Sequence, residues 1–107
     1  MVHLHVVADW FDVPSWLEAL PRRIGLVISL HGMWPLTGGC FLYRGCDRYT
    51  NDLRPCTPCP ILRWPANRFF ATAASLRKLR IYPGCGARVV ANSQWLAEIA
   101  RQSPIAQ

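Results

Sequence analysis

Hydrophobic and polar residues along the chain predict three strands. Residues 2–8, V-H-L-H-V-V-A, alternate and are rich in β-branched side chains, which is typical of a strand. Residues 24–31 are apolar at nearly every position, as expected of a central parallel strand that helices cover on both faces. A short third strand is predicted over residues 87–92, A-R-V-V-A-N.

Two helices are predicted between these strands. Ser15 and Glu18 form a capping box ahead of Pro21, so a short helix is expected over residues 15–20. Residues 67–80 carry apolar side chains at helical spacing with arginines opposite, and Pro-Gly ends this unit. The apolar set is Phe69, Phe70, Ala73, Leu76 and Leu79.

A last helix is predicted over residues 93–102, with Asn92 or Ser93 as its N-cap. Its inward-facing residues are Trp95, Leu96 and Ile99. The order is strand, helix, strand, long loop, helix, strand, helix, which is the order of an α/β protein with a parallel sheet. The expected fold class is a partial Rossmann-like parallel sheet of about three strands with flanking helices and a long cysteine-containing loop.

Residues 32–66 are rich in glycine and proline and predict an irregular loop. A loop of this length inside a small domain normally has a function or is held in place by a metal ion or by disulfides. Four of the five cysteines lie in it: Cys40, Cys46, Cys56 and Cys59. The last two have the C-x2-C spacing with which two thiolates bind one tetrahedral zinc ion, and the C-x5-C pair before them could complete the site.

Free buried cysteines and a C-x2-C redox pair are the alternatives to zinc. Zinc is preferred because a loop of this composition is not expected to order itself by burial alone. A disulfide framework is not expected, since the N-terminus lacks the basic region of a signal peptide. Cys85, which lies between two glycines, is expected to be a small core residue.

The three histidines are the other candidates for chemistry. His3 and His5 alternate with Val2 and Leu4, so both imidazoles should face one side of the first strand. His31 closes the second strand, and open parallel sheets bind ligands beyond the carboxyl ends of their strands. There it could act as a general base or bind a sugar or phosphate, with a purely structural histidine as the alternative.

The net charge of +6 comes from eleven arginines and one lysine against six acidic residues. A basic surface attracts phosphates, nucleic acid or anionic lipid, although Arg77, Lys78 and Arg80 are expected to form a solvated helix face. Aromatic and basic side chains do not interleave on one face, so no nucleic-acid partner is expected. The apolar runs are too short to cross a bilayer.

Five stretches, in this order, resemble the N-terminal domain of family 4 glycosyltransferases, and above all its bacterial exopolysaccharide and colanic-acid-type branch. They are V-H-L-H (2–5), L-V-I-S-L-H-G-M-W-P-L-T-G-G-C (26–40), R-G-C-D-R-Y (44–49), C-x-x-C-P (56–60) and V-V-A-N-S-Q-W-L-A-E-I-A-R-Q-S (89–103). The resemblance implies a GT-B architecture. In that architecture the N-terminal domain holds the acceptor, a second Rossmann-like domain holds the nucleotide sugar, and the active site lies between them.

The resemblance places the catalytic position at His31, near the reacting sugar. It implies substrate binding by His5 and by residues of the loop after the second strand: Gly32, Trp34, Thr37, Gly38 and Gly39. No cofactor is implied for the chemistry, so a zinc ion would be structural. Gly32 and Asn92 depart from the family, which has aspartate and proline at these positions.

The resemblance also implies that residues 1–107 are part of a larger transferase and inactive alone, because transfer needs both reactants held in one geometry. The expected partners are a nucleotide sugar on the second domain, a glycan or lipid-linked acceptor, and an anionic membrane surface. The expected location is the cytoplasm, at the inner face of the membrane. There are two alternatives. One is a small binding module that zinc holds together and that has no catalytic activity, and the other is a gene remnant that does not fold alone.

Overall fold

The computed structural model describes residues 1–5, 13–21, 24–61 and 65–107. Three parallel strands and three α-helices form the described fold. Its strands are β1 (Val2–Leu4), β2 (Leu26–Leu30) and β3 (Arg88–Ala91), and its helices are α1 (Val13–Ala19), α2 (Pro65–Gly84) and α3 (Gln94–Gln102). The expected α/β class, with a partial Rossmann-like parallel sheet, is confirmed.

The sheet has the strand order β1-β2-β3, and both pairs are parallel. Val2 lies opposite Leu26, and Leu30 lies opposite Ala91. In the central strand β2, Leu26, Ile28 and Leu30 are buried, whereas Val27 and Ser29 are only partly buried, so the predicted cover is complete on one face of the strand and partial on the other. Because the strands are parallel, β1 and β2 end at the same edge of the sheet. Residues 6–8 of the predicted first strand lie outside the described residues.

The helices start and stop close to the predicted positions. Helix α1 begins at Val13 rather than Ser15, since a proline is well accommodated in the first turn. Helix α3 begins after Ser93, whose side-chain oxygen accepts a hydrogen bond from the Leu96 amide, so the predicted N-cap is confirmed. Helix α2 continues through Pro83 and ends at Gly84.

The predicted inward face of α2 is correct only in part, since Leu79 packs against the core and Leu76 is partly buried, whereas Ala73 is exposed. Phe69 and Phe70 are 70% and 64% exposed. The buried stripe instead contains Ala71, Ser75 and Lys78, which face the long loop. Helical spacing alone allowed either stripe, and the contacts with the loop decide between them.

Two further expectations are corrected. Lys78, expected on a solvated face, is only 2% exposed, because backbone carbonyl groups of the loop surround its ammonium group. Trp95, expected to point inward, is 45% exposed and stacks on Tyr43 with a centroid separation of 6.1 Å. Leu96 and Ile99 are buried as predicted.

The long loop is irregular, as predicted. Between β2 and residue 61 its regular structure is two short 3-10 helices, Trp34–Leu36 and Arg48–Thr50. Parts of the loop are nevertheless in the hydrophobic core, including Met33, Leu36 and Tyr49. Within the described part of the chain, no helix is long and apolar enough to cross a membrane.

Candidate functional site

The three histidines form one group of neighbouring rings, called the histidine cluster here (His3, His5 and His31), in which His5 and His31 lie at the edge of the sheet and His3 lies within β1. His5 follows β1 directly and His31 follows β2, and the parallel pairing of these strands brings them together. The Nδ1 atom of His5 lies 3.3 Å from the Nε2 atom of His31. The rings of His3 and His5 lie on one face, with centroids 4.2 Å apart. The predicted common face is therefore confirmed.

The histidine cluster is open to solvent. All three residues are exposed, and Nε2 of His3 pairs with the Ser29 hydroxyl at 2.7 Å. A neutral imidazole has one donor and one acceptor nitrogen, so the contact between His5 and His31 uses one nitrogen of each ring. Each ring keeps a second nitrogen that can bind a hydroxyl or a phosphate oxygen.

The loop after β2 turns back on itself next to this cluster. The Met33 amide donates to the Phe41 carbonyl at 2.9 Å. A Cβ atom added at Gly32 would lie 2.9 Å from the Phe41 ring, so a larger side chain there requires that ring to move. Glycine at this position therefore matches the close approach of Phe41.

The predicted binding residues of this loop are placed at different depths. Gly32 and Thr37 are buried, Trp34 and Gly38 are partly buried, and Gly39 is exposed. The carbonyl groups of Trp34 and Thr37 bond Lys78 of helix α2, and the Gly38 amide bonds the Cys56 sulfur atom.

Lys78 fastens the loop to helix α2. Its ammonium group donates to the carbonyl of Trp34 at 2.7 Å and to that of Thr37 at 2.9 Å, and it lies 4.0 Å from the centroid of the Trp34 ring. Burial lowers the pKa of Lys78 from 10.5 to about 7. No helical pattern predicts this role, although the sequence holds one signal of it: Lys78 is the single lysine in a chain with eleven arginines.

Two further contacts join the loop to α2. A Cβ atom at Gly38 would clash with the Ala71 carbonyl group, so only glycine permits this approach of two backbones. The Ser75 hydroxyl donates to the Pro55 carbonyl at 2.6 Å. Within the described residues, every buried side-chain nitrogen and oxygen atom has a hydrogen-bond partner. These contacts make α2 the support of the loop.

The four loop cysteines surround one small cavity, called the cysteine pocket here. It has a volume of about 10 Å³ and is lined by Cys40, Cys46, Cys56 and Cys59 together with Thr37, Tyr43, Tyr49, Pro60 and Ile61. All four thiols are free. Cys85 lies apart, partly buried against the core, with its thiol 3.8 Å from the Leu17 carbonyl oxygen.

The pocket favours neutral thiols. Burial raises the pKa of Cys56 to about 11, and burial also raises the pKa of Cys40. The Gly38 amide donates a hydrogen bond to the Cys56 sulfur atom at 3.3 Å. This bond lowers the pKa of Cys56, but by less than burial raises it. Within residues 1–5, 13–21, 24–61 and 65–107, no three His, Cys, Asp or Glu side chains are grouped so as to hold a metal ion.

Comparison with known proteins adds no relative. The chain matches no family model, no curated protein and no solved structure.

Proposed function

We propose that this chain is the acceptor-side part of a nucleotide-sugar-dependent glycosyltransferase that resembles family 4. The observation that carries the proposal is the contact between His5 and His31 at the carboxyl edge of a parallel sheet. This is the edge at which open α/β sheets bind their ligands. The loop motif S-L-H-G-M-W-P-L-T-G-G-C begins at the same edge.

In the proposed site, His31 contacts the reacting sugar and His5 lines the acceptor side of the cleft. Each exposed ring offers one nitrogen to a sugar hydroxyl or to a diphosphate oxygen. The acceptor oxygen forms a bond to the anomeric carbon, and the bond from that carbon to the nucleoside diphosphate breaks. The hydroxyl proton leaves with the diphosphate.

The proposal requires a second, donor-binding domain. Transfer depends on the two reactants being held at bonding distance, and one half of a cleft cannot do this. We therefore expect residues 1–107 alone to bind sugar weakly and to transfer none.

A lipid-linked acceptor at an anionic membrane is the proposed substrate class. The net charge is +6, and Phe69 and Phe70 project into solvent beside the exposed Arg68. Exposed aromatic side chains beside basic residues favour the interface of anionic membranes. This placement supports peripheral contact of a cytoplasmic enzyme with the inner membrane face.

Histidine NMR tests the proposal directly, because the chain contains only three histidines and all three are in the cluster. The imidazole signals are followed while alkyl glycosides of common hexoses, and then nucleoside diphosphate hexoses, are added. We expect saturable shifts of the His5 and His31 signals with at least one glycoside. His31→Ala should abolish the saturable response.

His3→Ala is the matched control, since His3 pairs with Ser29 within the sheet rather than standing at the strand end. It should leave the His31 response in place. An absence of saturable shifts across both ligand panels, with the chain folded, would remove sugar binding at this edge and with it the proposed function.

A further inference from the structure

The proposed function does not account for two features of the loop: the free thiols of the cysteine pocket and the buried ammonium group of Lys78. Four thiols with no disulfide line one small cavity. A buried ammonium group nearby is held by carbonyl groups, and no carboxylate pairs with it in the described part of the chain. The ammonium group donates a hydrogen bond to the Thr37 carbonyl at 2.9 Å, and Thr37 is one of the residues that line the cysteine pocket.

We propose that Cys40, Cys46, Cys56 and Cys59 bind one zinc ion as a tetrathiolate centre, for which Lys78 is the buried counter-charge. This inference does not depend on the proposed glycosyl transfer. Four thiolates around a divalent ion carry a net charge of about −2, by the usual ligand charges. A buried anion of this kind needs a compensating positive charge, which explains why a cation is buried at this point.

The geometry around Cys56 gives independent support. Its sulfur accepts a hydrogen bond from the Gly38 amide, which is the type of outer contact that orients metal-bound ligands. Its backbone has a φ of 60°, which is uncommon for a residue other than glycine and is concentrated at functional sites.

Zinc binding requires two changes at the pocket. The four sulfur atoms must turn toward one point, because the described side chains are not grouped around an ion as they stand. The thiols must also lose their protons to solvent, up to four for each zinc ion bound, because the thiolate is the metal ligand. No oxidation or reduction is involved.

The consequence of the centre is a link between the metal and the histidine edge. Thr37 lines the cysteine pocket, and its carbonyl group and that of Trp34 both accept hydrogen bonds from Lys78. Zinc would therefore fix the loop that begins at His31.

Metal binding to the reduced chain tests the centre. We expect one zinc ion per chain by elemental analysis. With Co²⁺ in its place, we expect thiolate-to-metal charge-transfer bands and the intense visible bands of tetrahedral cobalt. Cys56→Ser should lose the four-sulfur spectrum. The fifth cysteine supplies the matched control: Cys85→Ser should keep it, because Cys85 lies outside the pocket.

A reduced, folded chain that binds no zinc would overturn the proposal. So would a cobalt spectrum that is unchanged in Cys56→Ser. A disulfide that persists between Cys56 and Cys59 in reductant, without metal, would overturn it in favour of a redox pair.

The role of Lys78 has its own test. Lys78→Gln keeps a hydrogen-bond donor and removes the charge, and it should weaken zinc binding about tenfold. Lys78→Arg should restore most of the affinity, and Arg80→Gln should leave it unchanged because Arg80 is exposed. Equal zinc affinity in Lys78→Gln and the unaltered chain would overturn the counter-charge role.

The unaltered chain provides a second measurement if Lys78→Gln does not fold. Lys78 is the single lysine, so its side-chain NMR signal is unambiguous. Zinc should raise the pKa of this ammonium group, because thiolate charge nearby favours its protonated form. A titration that zinc does not change would contradict the role assigned to Lys78.

Discussion

The ammonium nitrogen of Lys78 lies 2.7 Å from the carbonyl oxygen of Trp34, although the two residues are 44 positions apart in the chain. This contact fastens the loop after β2 to helix α2. The same nitrogen bonds the Thr37 carbonyl, so one side chain satisfies two loop carbonyl groups.

Truncation of Lys78 should destabilise the fold. Lys78→Ala leaves the Trp34 and Thr37 carbonyls without this donor, and we expect the free energy of unfolding to fall by about 1–3 kcal/mol. Urea unfolding followed by circular dichroism measures the change. The control is Arg88→Ala on exposed strand β3, which should change stability by about 0.5 kcal/mol or less. Equal effects of the two substitutions would contradict the anchoring role.

The zinc-free chain should become more stable as the pH rises from 7 to 9. The folded pKa of Lys78 is about 7 and its ordinary value is 10.5, so in this range the unfolded chain binds one more proton than the folded chain. Stability then rises with pH, by up to about 1.4 kcal/mol per pH unit. Above pH 9 the rise should level off, because the pKa of Cys56 is raised from 9.0 to about 11 on folding and the proton that the folded chain then keeps offsets that of Lys78. Above pH 10.5, where Lys78 also loses its proton in the unfolded chain, the slope should turn negative.

Urea unfolding in the presence of a chelator, repeated across this pH range, measures the slope. Lys78→Met should remove the rise between pH 7 and 9, the window set by the pKa values of Lys78 and the thiols. A rise that persists in Lys78→Met would assign it to another group.

Gly38→Ala should destabilise the protein, because the added methyl group would clash with the Ala71 carbonyl. We expect a loss of about 1–3 kcal/mol in the free energy of unfolding. Gly84→Ala is the matched control, since no atom lies within 4 Å of a Cβ at that position. It should be neutral or slightly stabilising. Similar losses from both substitutions would show that the close approach of Gly38 and Ala71 does not limit stability.

The two exposed phenylalanines should increase binding to anionic membranes. We expect the chain to sediment with phosphatidylglycerol vesicles and not with neutral phosphatidylcholine vesicles, since its charge is +6. Phe69→Ser with Phe70→Ser should weaken this binding about tenfold or more, from the loss of insertable apolar area. Leu53→Ser removes an exposed apolar residue elsewhere and serves as the control. Sedimentation unaffected by the Phe substitutions would remove these side chains from the contact.

The sheet and the histidine edge could be predicted because each depends on a local rule. The apolar run of β2 indicates a central strand, and parallel pairing then requires that His5 and His31 lie at one edge. The buried face of α2 could not be predicted in the same way. Phe69 and Phe70 are more hydrophobic than Ser75 and Lys78 and are nevertheless exposed. Ser75 and Lys78 are buried because the long loop packs against their side of the helix.

The cysteine pocket was predictable in part. The C-x2-C spacing of Cys56 and Cys59 indicates that these thiols can act together. Cys40 and Cys46 line the same cavity. Their position depends on the path of an irregular loop, and no periodic sequence pattern predicts such a path. The burial of Lys78 depends on contacts with residues about forty positions away, which no local pattern contains.

The anchoring of the loop by α2 also sets the order in which the chain can fold during synthesis. The contact between Lys78 and Thr37 spans 41 residues, and that between Ser75 and Pro55 spans 20. Contacts of this range form only after the intervening chain has closed into a loop. A ribosome adds the thiols of residues 40–59 before it adds the helix that fixes them. The nascent chain therefore carries accessible thiols until α2 has emerged, and a metal ion could reach them during that interval.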